Sequence, residues 1–354
     1  MRRLPVVLAA LALVPAAQAT APPLQNALNA AVEAGVPAAL ALSERPGRPT
    51  LRLAAGWANR ATGSPMKPGL RFRVGSVTKT FVAALVLQLA DEQRLALDDT
   101  VEHWLPGLVP NGDGITIRQL LRHQSGLFDY TNDQRIFKPY LAGRLGYRWT
   151  PHTLVEIAVS HPPLFDPGTD WQYSNTNYVV LGLIAERAGR APLGQLLARR
   201  IFRPLGLAST TFSAGTSFPG PRMHGYYGGT DVTGLSASWA WAAGAIASTA
   251  NDLARFYRAL FSGRLLSTPL LTKMEQTVPI GNGDNRYGLG LIRIRTPCGF
   301  AWGHDGLVPG YRTLALASRD GKKVAVVAEA ISARFPSGPQ DQTFDELAAT
   351  AYCG

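Results

Sequence analysis

"VGSVTKTFVAALVLQLA", residues 74–90, is the stretch whose reading decides the fold. From Thr80 onward it is apolar almost all round, as in a helix buried inside a protein. Yet its first turn carries Ser76 and, three residues on, Lys79. Residues three apart on a helix are neighbours, so a hydroxyl and an amine meet where free backbone N–H groups and the helix dipole favour negative charge. Apolar surroundings disfavour the charged form of an amine. A tunable amine beside a hydroxyl makes serine nucleophilic without a histidine base. The spacing alone is a weak signal: Ser64-Pro65-Met66-Lys67 repeats it, but proline and glycine make that copy a loop with no helix to align the pair.

Outward from this helix, the two ends of the chain read differently from its middle. A helix over "LQNALNAAVEAG" places Leu24, Leu28 and Val32 on one face and ends at Gly35. Two strands follow, "PAALALSE" and "TLRLAAGW", with Leu51, Leu53, Ala55 and Trp57 alternating onto one buried face. From Ser76 to about residue 280 the signals are helical and loop-like, with helices expected over 76–92, 116–122, 151–160, 176–188, 192–201 and 250–262. Strands return as "YGLGLIRIR", "FAWGHDG", "YRTLALAS" and "KKVAVVAEA", the last two joined through Asp320-Gly321. A final helix, "TFDELAATAYC", starts with a capping box of Thr343 and Glu346. The expectation is an α/β (α+β) protein. Its antiparallel sheet is built from residues 20–75 and 281–354 and flanked by helices, and residues 76–280 form a mainly helical lobe.

Residues 1–19, "MRRLPVVLAALALVPAAQA", read as a signal peptide: two arginines, an apolar stretch, then a small-residue cleavage site. No later stretch is long and apolar enough for a membrane span, so a secreted or periplasmic protein is expected. The net charge of +11 is scattered rather than run together, as in "ERAGRAPLGQLLARRIFRPLG". That reads as a solvated positive surface or a weak attraction to anionic envelope polymers, and no nucleic-acid partner is expected. Cys298 and Cys353 are the two cysteines. In an oxidising compartment they pair as a disulfide, the alternative being two separate thiols.

Two further motifs carry chemistry. "DWQYSNTNYVVLGLIAE" puts Tyr173-Ser174-Asn175 on a loop leading into a helix. A tyrosine serves as a general base if a cation lowers its pKa, and an asparagine offers a donor and an acceptor to a substrate amide. Tyr130-Thr131-Asn132 fits the same pattern, and either tyrosine alone also reads as a packing residue. "AWGHDGLVPGYRT" puts His304-Asp305-Gly306 on a strand among glycines that leave room for close approach. The six histidines show no zinc-site spacing, and there is no phosphate loop or dinucleotide fingerprint, so no cofactor is expected.

The order Ser-x-x-Lys, Tyr-x-Asn, His-x-Gly resembles the penicillin-recognising serine hydrolases, in the branch of D-alanyl-D-alanine carboxypeptidases, class C β-lactamases and related esterases. "LLRHQSGLFDY" (120–130), "AAGAIASTANDLARF" (242–256) and "YGLGL" (287–291) extend the match over most of the chain. The resemblance implies a β-lactamase-like fold, with Ser76 as the nucleophile that forms an acyl-enzyme and Lys79 tuning proton transfer. It makes Tyr173 the base that later protonates the leaving amine and Asn175 a ligand of the substrate amide. His304 stands where relatives carry lysine, hydrogen-bonding near Tyr173. Ser76 and Leu307 supply the oxyanion-hole N–H groups, and Asp305 and Gly306 border the substrate.

Histidine in the third motif fits the carboxypeptidase side, where class C β-lactamases generally have Lys-Thr-Gly. Asp305 departs from the hydroxyl residue common there. Facing the cleft, it repels a terminal carboxylate; facing away, it only orients the strand. Arg286, Arg293, Arg295 and Arg312 are candidates for a compensating cation. The first expectation is a D,D-carboxypeptidase-like enzyme acting on peptidoglycan-type D-alanyl peptides and reacting with β-lactams. The alternative is an esterase or D-amino-acid amidase; a β-lactamase or a penicillin-binding sensor without turnover ranks lower. Oligomeric state is left open.

Overall fold

The computed structural model describes residues 22–281, 283–332 and 338–354. The expected signal peptide, residues 1–19, lies outside the described residues. A nine-stranded antiparallel sheet forms the centre. Its strands in chain order are β1 (Ala38–Glu44), β2 (Leu51–Asn59), β3 (Ser64–Pro65), β4 (Val278–Pro279), β5 (Arg286–Tyr287), β6 (Ile292–Thr296), β7 (Gly299–Val308), β8 (Tyr311–Ala317) and β9 (Val324–Ala330). Across the sheet they lie in the order β3-β2-β1-β9-β8-β7-β6-β5-β4. The two ends of the chain meet where β1 pairs with β9, Ala41 opposite Val327.

The alternation of β1 shows why it is central. Ala39 and Ala41 face one side, against Leu24 and Leu28 of α1 (Pro23–Glu33) and Leu347 of the C-terminal helix. Leu40 and Leu42 face the other side, in the core shared with the helical region. A strand covered on both faces reads as a continuous apolar run. The helix α2 (Thr78–Asp91) is buried on nearly every side. It packs against α3 (Asn175–Gly189) and α4 (Ala250–Phe261), with the Phe81 and Phe256 rings stacked 3.6 Å apart. Burying each such side chain stabilises the fold by roughly 1.5–3 kcal/mol.

Several local expectations are corrected. Ala31, not Val32, completes the buried face of α1, one helical turn on from Leu28. Trp57 is half exposed, because the register of β2 shifts there where it pairs with short β3. The run 287–295 is not one strand: Gly290, at φ +70°, turns the chain onto α2. A side chain at Gly290 would come 2.5 Å from the Ala83 methyl, and Thr80 donates a hydrogen bond to its carbonyl. The last helix, α5 (Pro339–Cys353), starts four residues early, with proline in its first turn. Thr343 therefore lies inside the helix and donates to the Gln340 carbonyl instead of capping. Between the sheet halves, Phe72–Arg73, Thr211–Phe212 and Ile246–Ser248 add a small three-stranded sheet. Cys298, at the β6–β7 turn, is disulfide-bonded to Cys353 at the end of α5.

Candidate active site

Ser76 sits in a single 3-10 turn, Gly75–Val77, that feeds into α2. Gly75 has φ +55°, and a Cβ there would lie 2.8 Å from the Leu307 nitrogen. Opposite it, a Cβ on Gly306 would collide with the Val74 carbonyl and lie 3.0 Å from the Ser76 nitrogen. Two facing glycines thus let β7 rest directly on the turn. The N–H groups of Ser76 and Leu307 are brought together beside the Ser76 hydroxyl, an arrangement suited to holding a developing oxyanion.

The Lys79 ammonium is fully enclosed. Its Nζ lies 2.9 Å from Ser76 Oγ, 2.7 Å from Asn175 Oδ1 and 2.9 Å from the Ala243 carbonyl. Burial drives its pKa down to about 7, against the opposing pull of Asp129 and Asp305. The Tyr173 hydroxyl donates to Ser76 Oγ at 2.8 Å. Burial, reinforced by the negative charge of Asp305, pushes the Tyr173 phenol well above its usual range despite the Ser76 hydrogen bond. With Lys79 Nζ 4.8 Å from the ring centroid, the phenol still keeps its proton and donates it to Ser76 Oγ. A proton count then defines the neutral form of this cluster, which a pKa of about 7 makes available at neutral pH. Asn175 Oδ1 and the Ala243 carbonyl only accept, so a neutral Lys79 spends both its protons on them. Its lone pair is left for the Ser76 hydroxyl, which in turn accepts from Tyr173.

Asn175 is oriented by Asp129, whose Oδ2 accepts from Nδ2 at 2.9 Å. Asp129 is itself held by the Thr131 backbone N–H and hydroxyl. Both ends of the Asn175 amide are engaged within the protein, so its first task is to hold Lys79, although it also borders the cleft. His304 is fully buried and does not bond to Tyr173. It faces the hydroxyl of Tyr287, 2.9 Å from its Nε2, while its Nδ1 lies 2.6 Å from the Asp305 carbonyl oxygen. The same Tyr287 hydroxyl lies 3.2 Å from Nε2 of His123. The His123 ring packs under Tyr173 with centroids 4.3 Å apart. His123 Nδ1 accepts from the Ser174 N–H, so its Nε2 is the donor to Tyr287. Burial first, then the charges of Lys79 and His304, holds the His123 pKa well below its usual value.

Tyr287, His123 and Asp129 were not singled out from the sequence. His123 and Tyr287 lie within the quoted motif stretches, but nothing in their spacing shows that they meet. Of the repeat motifs, Ser64 is exposed on β3, and Tyr130 is buried with its hydroxyl on the Trp239 carbonyl.

These groups open onto a cleft of about 820 Å³ walled by Phe137, Leu145, Trp171, Trp239, Ile292 and Ile294. Asp305 lines it and is the only charged side chain to do so among the described residues. Partial loss of hydration at the cleft wall favours the neutral acid, but the His304 hydrogen bond and charge, with the attraction of protonated Lys79, outweigh this and set the Asp305 pKa below the usual carboxylate value. None of the four candidate arginines lines the cleft. Arg286 binds Thr277, Arg293 and Arg295 lie over the Phe300 ring, and Arg312 pairs with Asp341. Among the described residues there is no cluster of metal ligands and no helix long and apolar enough to cross a membrane.

A large antiparallel sheet set against helices, with a hydrogen-bonded serine and lysine packed against its β7 strand, defines a serine hydrolase. The chain belongs to the Beta-lactamase family, whose model matches residues 24–350. It is similar to a D-stereospecific amidohydrolase from Streptomyces sp., with 38% identity, 94% of this chain and 98% of that one covered, and a TM-score of 0.84. It is also similar to D-amino acid amidase from Ochrobactrum anthropi SV3, with 27% identity, 93% and 97% covered, and a TM-score of 0.83. Penicillin-binding protein 4* of Bacillus subtilis is 28% identical over 305 residues, which span 77% of this chain but only 63% of that protein.

Proposed function

We propose that the protein hydrolyses D-aminoacyl amides and related small peptides or esters through an acyl-enzyme on Ser76. The observation that carries this reading is the hydrogen-bonded trio of Ser76, Lys79 and Tyr173 beside the paired N–H groups. Neutral Lys79 takes the hydroxyl proton as Ser76 Oγ bonds to the substrate carbonyl carbon, and the carbonyl oxygen takes up negative charge at the Ser76 and Leu307 N–H groups. When the carbonyl re-forms, the C–N bond breaks and the leaving nitrogen takes the Tyr173 phenolic proton. Water then gives a proton to the Tyr173 phenolate and attacks the ester. The departing Ser76 oxygen recovers its proton from Lys79, and all three groups return to their starting forms.

The amidase reading is supported by the whole-length similarity to the two amide hydrolases. It also fits a cleft with no cation, among its described lining residues, to receive a terminal carboxylate. A D,D-carboxypeptidase acting on peptidoglycan peptides is the second reading, favoured by the similarity to the penicillin-binding protein. Export from the cytoplasm is part of the proposal, supported by the reading of residues 1–19 and by the disulfide.

The test is to incubate the protein with D- and L-phenylalanine amide, an N-acylated D-alanyl-D-alanine peptide and a fluorescent penicillin. Ammonia release from the D-amide is expected, with Ser76→Ala slower by about a thousandfold or more. D-alanine release outpacing amide cleavage would replace this reading with the carboxypeptidase one. Full activity in Ser76→Ala would remove both.

A further inference from the structure

We infer that Asp305 selects substrates bearing a positive charge, an ammonium or guanidinium group, and turns away those bearing a carboxylate near the scissile bond. This rests on the acyl-hydrolase reading of the same cleft and adds the charge of the substrate to it. The position of the side chain comes first. Asp305 lies on β7 two residues before Leu307, whose N–H borders the reacting carbonyl, and its side chain is 66% exposed within the cleft. His304 Nδ1 lies 3.4 Å from Asp305 Oδ1 and, with its bond to the Asp305 carbonyl, steadies the strand behind the carboxylate. The carboxylate therefore looks outward to the substrate with most of its hydrogen-bonding capacity unused.

The surroundings come second. No other described residue lining the cleft is charged. Lys79 is committed to Ser76, Asn175 and Ala243, and the nearby arginines are engaged elsewhere. Indole, phenyl and aliphatic groups wall the site. A charge pair that excludes water against such a wall interacts more strongly than one in open solvent. A bound cation restores charge balance there, whereas a bound carboxylate adds a like charge.

The experiment uses one D-phenylalanine framework. D-phenylalanine amide carries an ammonium, its N-acetyl derivative is neutral, and its N-succinyl derivative carries a carboxylate. The N-acetyl-D-phenylalanine 2-aminoethyl amide moves the cation to the leaving group. The readout is the ratio of kcat/KM between the charged and neutral members, which cancels any general effect of a variant. For the intact enzyme a cationic member is expected to lead, on whichever side Asp305 reads, and the carboxylate member to trail. Asp305→Asn should shrink the cationic advantage about tenfold, mainly through KM. Asp305→Glu should keep the order, and Asp305→Lys should invert it. An Asp305→Asn enzyme whose ratios match the intact enzyme on both the acyl and the leaving-group side overturns the inference. If amides are not cleaved at all, the proposed function falls, but the inference is still decided: p-nitrophenyl esters of 4-aminobutyrate, butyrate and succinate repeat the same charge steps on an activated acyl group.

Discussion

At Lys79 the protein holds an amine whose useful form is the neutral one. Burial sets its pKa at about 7, so the fraction able to accept the Ser76 proton grows as pH rises through that value. For wild-type enzyme kcat/KM is expected to rise with pH, reach half its maximum near pH 7 and level off about one to two units above. A steady-state pH profile checks this, and activity that falls from pH 6 to 8 would contradict a neutral Lys79. The Ser76–Lys79 pair was legible because one helical turn joins its members. Tyr173 and Asn175 were legible as a short motif, but their duties were not. Asn175, oriented by Asp129, holds Lys79, and Tyr173 donates its proton to Ser76 Oγ, because burial acts through neighbours that sequence spacing does not reveal. His123 and Tyr287 are separated by 164 residues and meet only in the folded protein.

Among the elements, β9 carries the clearest conflict between sequence and environment. Glu329 is fully buried on the face beneath α5, opposite Ala39 and Arg312, and neither carboxyl oxygen has a hydrogen-bond partner. Burial raises its pKa from 4.5 to about 8, with Arg312 opposing while Asp341 and Asp345 add to the rise. The folded protein therefore keeps a proton that the unfolded chain gives up near its ordinary value. The stability linked to that proton is complete below about pH 4.5 and is lost as pH climbs to about 8. Glu329→Gln should flatten this slope and stabilise the protein at pH 8 by on the order of 3 kcal/mol. Thermal unfolding of both forms from pH 5 to 9 tests it; parallel curves would exonerate Glu329. Element types and approximate positions were readable from periodicity. The break at Gly290 and the early start of α5 were not, since the first answers to the crowding of α2 and the second to proline in the first turn.

For the whole molecule, the disulfide ties the β6–β7 turn to the end of α5, closing a separation of 55 residues. On loop entropy alone it contributes about 4 kcal/mol. The Cys298→Ser/Cys353→Ser double variant is expected to lose stability of that order in denaturant titration yet keep its kcat, since neither cysteine borders the cleft. Unchanged stability would show that the unfolded chain gains little freedom when the bridge is gone. The plan of one sheet from two chain ends was legible in the order of strands and helices. The side that β7 presents to Ser76 became visible only through the facing glycines.

The pairing of β1 with β9 also has a consequence in time. As the polypeptide is made, Ser76 emerges long before Gly306, and β7, which carries the Leu307 N–H, follows only near the end of the chain. A nascent chain thus carries Ser76 before the strand whose Leu307 nitrogen packs against its turn. The pair of N–H groups beside Ser76 is complete only once β7 has folded onto the Gly75–Val77 turn.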